Sequence, residues 1–203
     1  MKRGFFITFE GVEGSGKSTQ IRFVQNHLRK LRKRVLLVRE PGSTKIGEQI
    51  RHVLLYPKND KMSVETELFL FLAARAQLVN EVIYPALRKG TVVISDRYED
   101  STIAYQGYGG GFSLPKLKQI VQAARGNVTP NLTFLLDIDS EKGLKRAGRN
   151  DRIEKKALGF HKKVRRGFLA LAKANPKRFV VISTRLSKSE VQKKIKETLN
   201  RVF

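Results

Sequence analysis

The chain has 203 residues, 40% of them apolar and 29% charged, a balance that predicts one globular domain with a sizeable core. It contains no cysteine, which excludes disulfides and thiolate-bound metals, and its longest apolar run, Leu68 to Ala74, is far too short to span a bilayer. Lys and Arg number 41 against 18 Asp and Glu, and a formal net charge of +23 concentrates anions such as nucleotides and nucleic acids. Charges interrupt the first apolar stretch within ten residues, so no signal-peptide pattern opens the chain and a cytoplasmic location is expected.

The first element is a buried strand, Phe5–Phe9. It leads directly into Gly11-Val12-Glu13-Gly14-Ser15-Gly16-Lys17-Ser18, the G-x-x-x-x-G-K-[ST] phosphate loop. An amphipathic helix follows over Ile21–Leu31, with Ile21, Val24, Leu28 and Leu31 on one side. That strand–loop–helix context separates the motif from a chance Gly-rich turn. The glycines let successive backbone N–H groups curl around a polyphosphate at a helix N-terminus. Lys17 is expected along the β- and γ-phosphates and Ser18 on Mg²⁺, with the residues from Gly11 through Ser18, and Thr19 after them, as nucleotide contacts. The implied ligand is a nucleoside triphosphate.

Basic clusters recur on predicted helices: Arg29-Lys30 with Arg32-Lys33-Arg34, Lys162-Lys163 with Arg165-Arg166, and Lys193-Lys194. No aromatic residues interleave them as a single-strand binding platform requires. Solvated helix faces are the favoured interpretation, leaving nucleic acid as a non-specific partner only.

A second strand is expected over Val35–Val38, followed by a long helical pattern over Val64–Leu87. Its apolar stripe of Leu68, Phe71, Leu72, Val79 and Val82 contains Arg75, four residues after Phe71. A buried arginine must be paired. Two explanations stand side by side: a structural bridge to a carboxylate, or a base-binding pair of ring and guanidinium. The third strand, Thr91–Ser95, ends in Ser95-Asp96-Arg97-Tyr98. A carboxylate at a buried strand tip beside a phosphate loop suits a Mg²⁺ role for Asp96, with Arg97 turned toward a phosphate.

Gly107-Tyr108-Gly109-Gly110-Gly111 is the most mobile-looking stretch outside Gly148–Lys156, and a helix is expected over Leu117–Ala124. A fourth strand, Thr133–Ile138, and a short helix precede Lys145-Arg146-Ala147-Gly148-Arg149-Asn150-Asp151-Arg152, an arginine-rich loop suited to close over phosphates. A helix over Ala157–Ala172, a strand over Phe179–Ile182 and a helix over Val191–Val202 complete the chain. Strands alternating with helices imply an α/β three-layer fold with a five-stranded parallel sheet flanked by helices.

Taken together the chain resembles bacterial thymidylate kinase, essentially end to end. The matching motifs are Phe9-Glu10-Gly11, Arg39-Glu40-Pro41-Gly42, Phe71-Leu72-Ala73-Ala74-Arg75, Asp96-Arg97-Tyr98, Ser101-Thr102-Ile103-Ala104-Tyr105-Gln106-Gly107 and Asp151-Arg152-Ile153-Glu154. The resemblance implies a P-loop NTPase fold in a single kinase domain over 1–203, with a short lid at about 146–156. It implies Mg²⁺-dependent transfer of the γ-phosphate of ATP to dTMP, and a homodimer. Phe71 is then expected on thymine, Arg75 on its exocyclic oxygen, Pro41 at the pocket border, Ser101, Thr102 and Gln106 near the base, and Tyr105 on the sugar. Glu13 would meet the 3′-hydroxyl, Arg97 and more weakly Arg51 the acceptor phosphate. Arg149 and Arg152 are the expected lid arginines, completing a catalytic set with Lys17 and Arg97; Ser18 and Asp96 are the expected metal contacts. Ser43 replaces a glycine of the family pattern, and Asn131 stands where an aspartate is usual. The competing activities are another phosphate-loop kinase and, from charge alone, a nucleic-acid-stimulated ATPase.

Overall fold

A computed structural model describes residues 4–148 and 151–203. The five apolar runs form β1 (Phe5–Glu10), β2 (Val35–Arg39), β3 (Val92–Asp96), β4 (Leu132–Asp137) and β5 (Phe179–Ser183), within a residue or so of expectation. All pair in parallel, in the order β2-β3-β1-β4-β5. β1 has neighbours on both sides and layers on both faces, which is why it reads as a nearly continuous apolar run.

The helices are α1 (Lys17–Lys30), α2 (Lys45–Leu55), α3 (Val64–Leu78), α4 (Tyr84–Arg88), α5 (Glu99–Thr102), α6 (Leu114–Arg125), α7 (Ser140–Ala147), α8 (Leu158–Ala174) and α9 (Lys188–Asn200). On one sheet face, Val24 and Leu28 of α1 and Ile195 and Leu199 of α9 pack with Ile7, Phe9 and Phe134, all fully buried. On the other, Leu78, Ile83 and Tyr98 enclose Phe6 and Val93, while Val164 and Phe168 of α8 cover Leu135. The three-layer architecture follows from that alternation of Phe6 with Ile7 along β1.

The helical pattern expected over Val64–Leu87 forms, interrupted by a π-helical turn at Val79–Ile83. Pro85 lies just beyond, in the first turn of α4. A proline lacks the N–H for the i−4 carbonyl and its ring crowds that carbonyl, so a widened turn before it relieves both problems. α2 has no counterpart among the expected elements; Thr44 caps it by accepting from Gly47 N at 2.9 Å. The glycine-rich stretch expected to be mobile is π-helical from Ile103 to Gly109. A Cβ on Gly107 would meet Leu114 at 2.6 Å, and one on Gly109 would meet Phe160 at 2.7 Å, so these glycines serve close packing. The basic clusters are exposed apart from half-buried Arg165, which pairs with Asp137 at 2.7 and 2.9 Å.

Sheet register sets the site. Phe9 lies beside Asp96, and Arg39 lies on the other side of Asp96. Arg97 N donates to Phe9 O at 3.0 Å and Glu40 N to Asp96 O at 3.0 Å. The residues that leave β1, β2 and β3 therefore emerge side by side, where ligands of parallel sheets collect.

Candidate active site

At those strand ends lies a cleft of about 380 Å³. One wall is the phosphate loop from Glu13 to Thr19; the opposite wall is Glu40, Pro41 and Arg51 with Phe71 and Arg75 of α3. Asp96 and Arg97 form the floor between them, and Ser101, Thr102, Tyr105 and Gln106 a third side. Ala147, Asp151, Ile153 and Glu154 reach its rim.

The phosphate loop is braced from behind. Gly14 has φ +65°, and a Cβ there would sit 2.0 Å from the carbonyl oxygen of Gly143. Gly143 lies on α7, and its own Cβ would come 2.5 Å from Glu13 O. Two glycines thus let backbone touch backbone. Lys17 is buried and donates to Gly11 O (3.0 Å) and Val12 O (3.2 Å). Burial, followed by repulsion from Arg97, brings its ammonium down to about 8, with Asp96, Glu13 and Glu10 opposing. Gly11 and Val12 were expected to contact nucleotide, but neither lines the cleft: Val12 is core and their carbonyls tether Lys17.

Arg97 occupies the left-handed region at φ +72°. Its guanidinium donates to Gly11 O and Ser101 Oγ, each at 3.1 Å, and to Glu13 Oε1 at 3.1 Å, over the face of Tyr105. The Glu13 carboxylate also accepts from the Tyr105 hydroxyl, and its Oε2 lies 3.3 Å from Nδ1 of fully buried His161. Burial alone would raise Glu13; His161, Arg97, Lys17 and Tyr105 together hold it far below the usual carboxylate range. It stays an anion and an acceptor.

Arg75 is 1% exposed and forms the carboxylate bridge that was one of its two explanations. Nε lies 2.9 Å and Nη2 2.5 Å from Glu40 Oε2, with Tyr98 under the guanidinium. Burial would lower its ionisation, and the Glu40 carboxylate more than offsets that. Its Nη1, however, is buried without a partner among the described residues, on a residue that lines the cleft beside half-buried Phe71. A buried donor left unmade is costly, so the carboxylate bridge leaves one N–H of this arginine available to a ligand acceptor.

Of the lid arginines, Arg149 lies outside the described residues. Arg152 does not line the cleft: it is 5% exposed, donates to Leu54 O at 2.8 Å, and sits 2.6 Å from Glu67 Oε2. Desolvated and paired this way, it is a structural link between α2, α3 and the segment after residue 150. Ser18 is exposed on the donor wall and Asp96 faces it across the floor, hard oxygen donors suited to Mg²⁺ alongside phosphates.

Two functional partners, His161 and Glu67, carry no local sequence signal, and Glu40 is no more than a motif letter; all three meet their partners across long stretches of chain. Glu10, singled out only as a motif letter, is fully buried and accepts from Tyr98 N (2.7 Å) and Ser101 Oγ (2.6 Å). Burial and then Asp100 push it up to about 8.

The chain is similar to known proteins over nearly its whole length. The family model for thymidylate kinase matches residues 9–195. The chain is 47% identical over 196 residues to thymidylate kinase of Syntrophotalea carbinolica, covering 92% of this chain and 91% of that one. It is 46% identical over 200 residues to thymidylate kinase of Deinococcus radiodurans, covering 96% of each. The solved structure of thymidylate kinase from Ehrlichia chaffeensis superposes with a TM-score of 0.80 at 34% identity, over 98% of this chain and 99% of that one.

Proposed function

The chain belongs to the thymidylate kinase family, and we propose that this cleft serves the family's reaction, ATP + dTMP to ADP + dTDP for dTTP synthesis, with donor and acceptor facing each other. One observation carries the site assignment: the phosphate loop and the unpartnered Arg75 Nη1 share that cleft, with Phe71 beside the latter.

Phosphoryl transfer needs positioning and charge stabilisation rather than covalent help. Backbone N–H groups of the phosphate loop and Lys17 hold the donor phosphates. Ser18 and Asp96 are the residues that would hold Mg²⁺, which would supply charge neutralisation for the donor phosphates. Phe71 stacks on thymine, Arg75 donates to its exocyclic oxygen, and Pro41, Ser101, Thr102 and Gln106 complete the base pocket. Tyr105 presses on the sugar, and the Glu13 anion accepts from the 3′-hydroxyl. The acceptor phosphate is already ionised near neutrality, so no strong general base is required. Arg97, with Arg51 nearby, grips that phosphate and balances charge in transfer. The segment at about 146–156 acts as the lid, with Arg149, and Arg146 behind it, as the arginines left for the transferred group, since Arg152 is committed to Glu67.

We further propose one kinase domain over 1–203, working in the cytoplasm as a homodimer; Phe69 and Tyr84, 56% and 50% exposed, offer apolar surface on the α3–α4 side. Size-exclusion chromatography with light scattering checks the dimer. Nucleic acid binding is non-specific, by counterion release from exposed Lys and Arg, and falls steeply with salt.

A coupled ADP-release assay across dTMP, dCMP, dAMP, GMP and thymidine, with and without Mg²⁺, tests the function. Turnover on dTMP with Mg²⁺ is expected to dominate; a higher rate on any other member overturns the proposal. dUMP, lacking one methyl group, is expected to work at about 10–200-fold lower efficiency.

A further inference from the structure

Glu67 projects from α3 behind the base pocket and is 2% exposed. Three donors converge on it. Gln106 Nε2 donates to Oε1 at 2.8 Å, Lys156 Nζ donates to Oε2 at 3.0 Å and to Oε1 at 3.2 Å, and Arg152 Nη2 lies 2.6 Å from Oε2. Burial alone would raise its carboxyl, but Lys156, Gln106 and Arg152 hold it below the ordinary range, so it is a carboxylate and can only accept.

An amide has two unlike ends. An acceptor-only neighbour dictates that the NH₂ end of Gln106 turns to Glu67, which leaves its carbonyl Oε1 as the end without a donor among the described residues, on a residue lining the cleft. We propose that Glu67 is the positioning residue that fixes the Gln106 amide with its oxygen toward the base, so that the pocket selects a ring bearing an imide N–H, as thymine and uracil do, and rejects a ring with a lone pair there, as cytosine has. This deepens the proposed site and rests on Gln106 meeting the base.

The surroundings make the test decisive. In Glu67→Gln the single carbonyl oxygen takes the Oε2 place, where Arg152 and the shorter of the two Lys156 contacts converge, both residues being donors only. The new NH₂ then faces Gln106, whose oxygen must turn to meet it and whose own NH₂ turns to the cleft. The ratio of kcat/KM for dTMP over 5-methyl-dCMP is expected to fall about tenfold or more in this variant, with KM for ATP unchanged. If both substrates lose efficiency equally, Glu67 is merely structural and the proposal is overturned.

Gln106→Met separates the two levels. If its substrate ratio matches the unmodified chain, Gln106 does not read the base and the site assignment itself fails. If the ratio falls in Gln106→Met but holds in Glu67→Gln, only the orienting role is lost. Should Glu67→Gln not fold, neutron diffraction of the unmodified protein with dTMP locates the Gln106 amide deuterons directly. Deuterons toward Glu67 support the proposal, and deuterons toward the base overturn it.

Discussion

Replacing Arg75 by leucine separates its two roles. The bridge to Glu40 is almost wholly desolvated, with side-chain exposures of 1% and 5%. Removing one partner of such a pair leaves an uncompensated buried charge and costs about 3–5 kcal/mol. For a chain of this length each kcal/mol lowers the melting temperature by roughly 2–4 °C, so a fall of roughly 10 °C is expected. Burial already pushes the Glu40 carboxyl upward, and Arg75 is what opposes it. A carboxyl whose folded-state ionisation is raised costs stability as pH rises through it, so the deficit of Arg75→Leu should shrink between pH 7 and pH 5. The double variant Arg75→Leu/Glu40→Leu removes both charges and should recover most of the lost stability. Activity should not follow. With no Nη1 for the thymine oxygen, kcat/KM for dTMP should stay down by about 10–150-fold, the worth of a hydrogen bond from a charged donor. Urea unfolding at both pH values, paired with ADP release, reads the two effects. A double variant as unstable as Arg75→Leu, or one restored on dTMP, refutes the reasoning.

Arg97→Ala should collapse turnover and raise KM for dTMP, because Glu13 loses its ion-pair partner, while ATP affinity stays nearly intact; steady-state kinetics in both substrates that show retained turnover would refute the role. Glu10→Gln should flatten the pH dependence of stability. With the Glu10 carboxyl pushed up to about 8, its contribution is full at low pH and declines as pH rises toward 8, by up to about 1.4 kcal/mol per pH unit. Parallel denaturation midpoints for the two proteins between pH 5 and 8 would contradict that assignment. Gly143→Ala gains helix propensity of roughly 1 kcal/mol but drives a methyl to 2.5 Å from Glu13 O. It should weaken ATP binding and turnover; a stabilised protein with unaltered kinetics would show that the backbone contact is dispensable.

The strands and the phosphate loop were legible because their signals are contiguous: an apolar run, then fixed glycines, then a helix stripe. Phe71 and Arg75 were legible as a pair because helical spacing puts them on one face. The partner of Arg75 was not, since Glu40 lies 35 residues away and only the sheet register brings it near. Arg152 reads locally as part of a lid over phosphates, yet a carboxylate on another helix captures it. α2 went unread although Thr44 is a good cap, and the turn at Val79–Ile83 has no periodic signature, only Pro85 two residues beyond it. Ser43, one of the departures from the family pattern, sits at φ +65°, where glycine is comfortable. Its hydroxyl accepts from Arg39 N at 2.8 Å and its N–H donates to Glu48 at 2.7 Å, contacts that compensate for the strained backbone.

A crystal structure of the chain with dTMP and a non-hydrolysable ATP analogue tests the central claim most directly. The expected result is a triphosphate cradled by Gly14–Ser18, thymine against Phe71, and its exocyclic oxygen within hydrogen-bond distance of Arg75 Nη1. A nucleotide base bound elsewhere, with Nη1 still buried and unpartnered, would contradict the account.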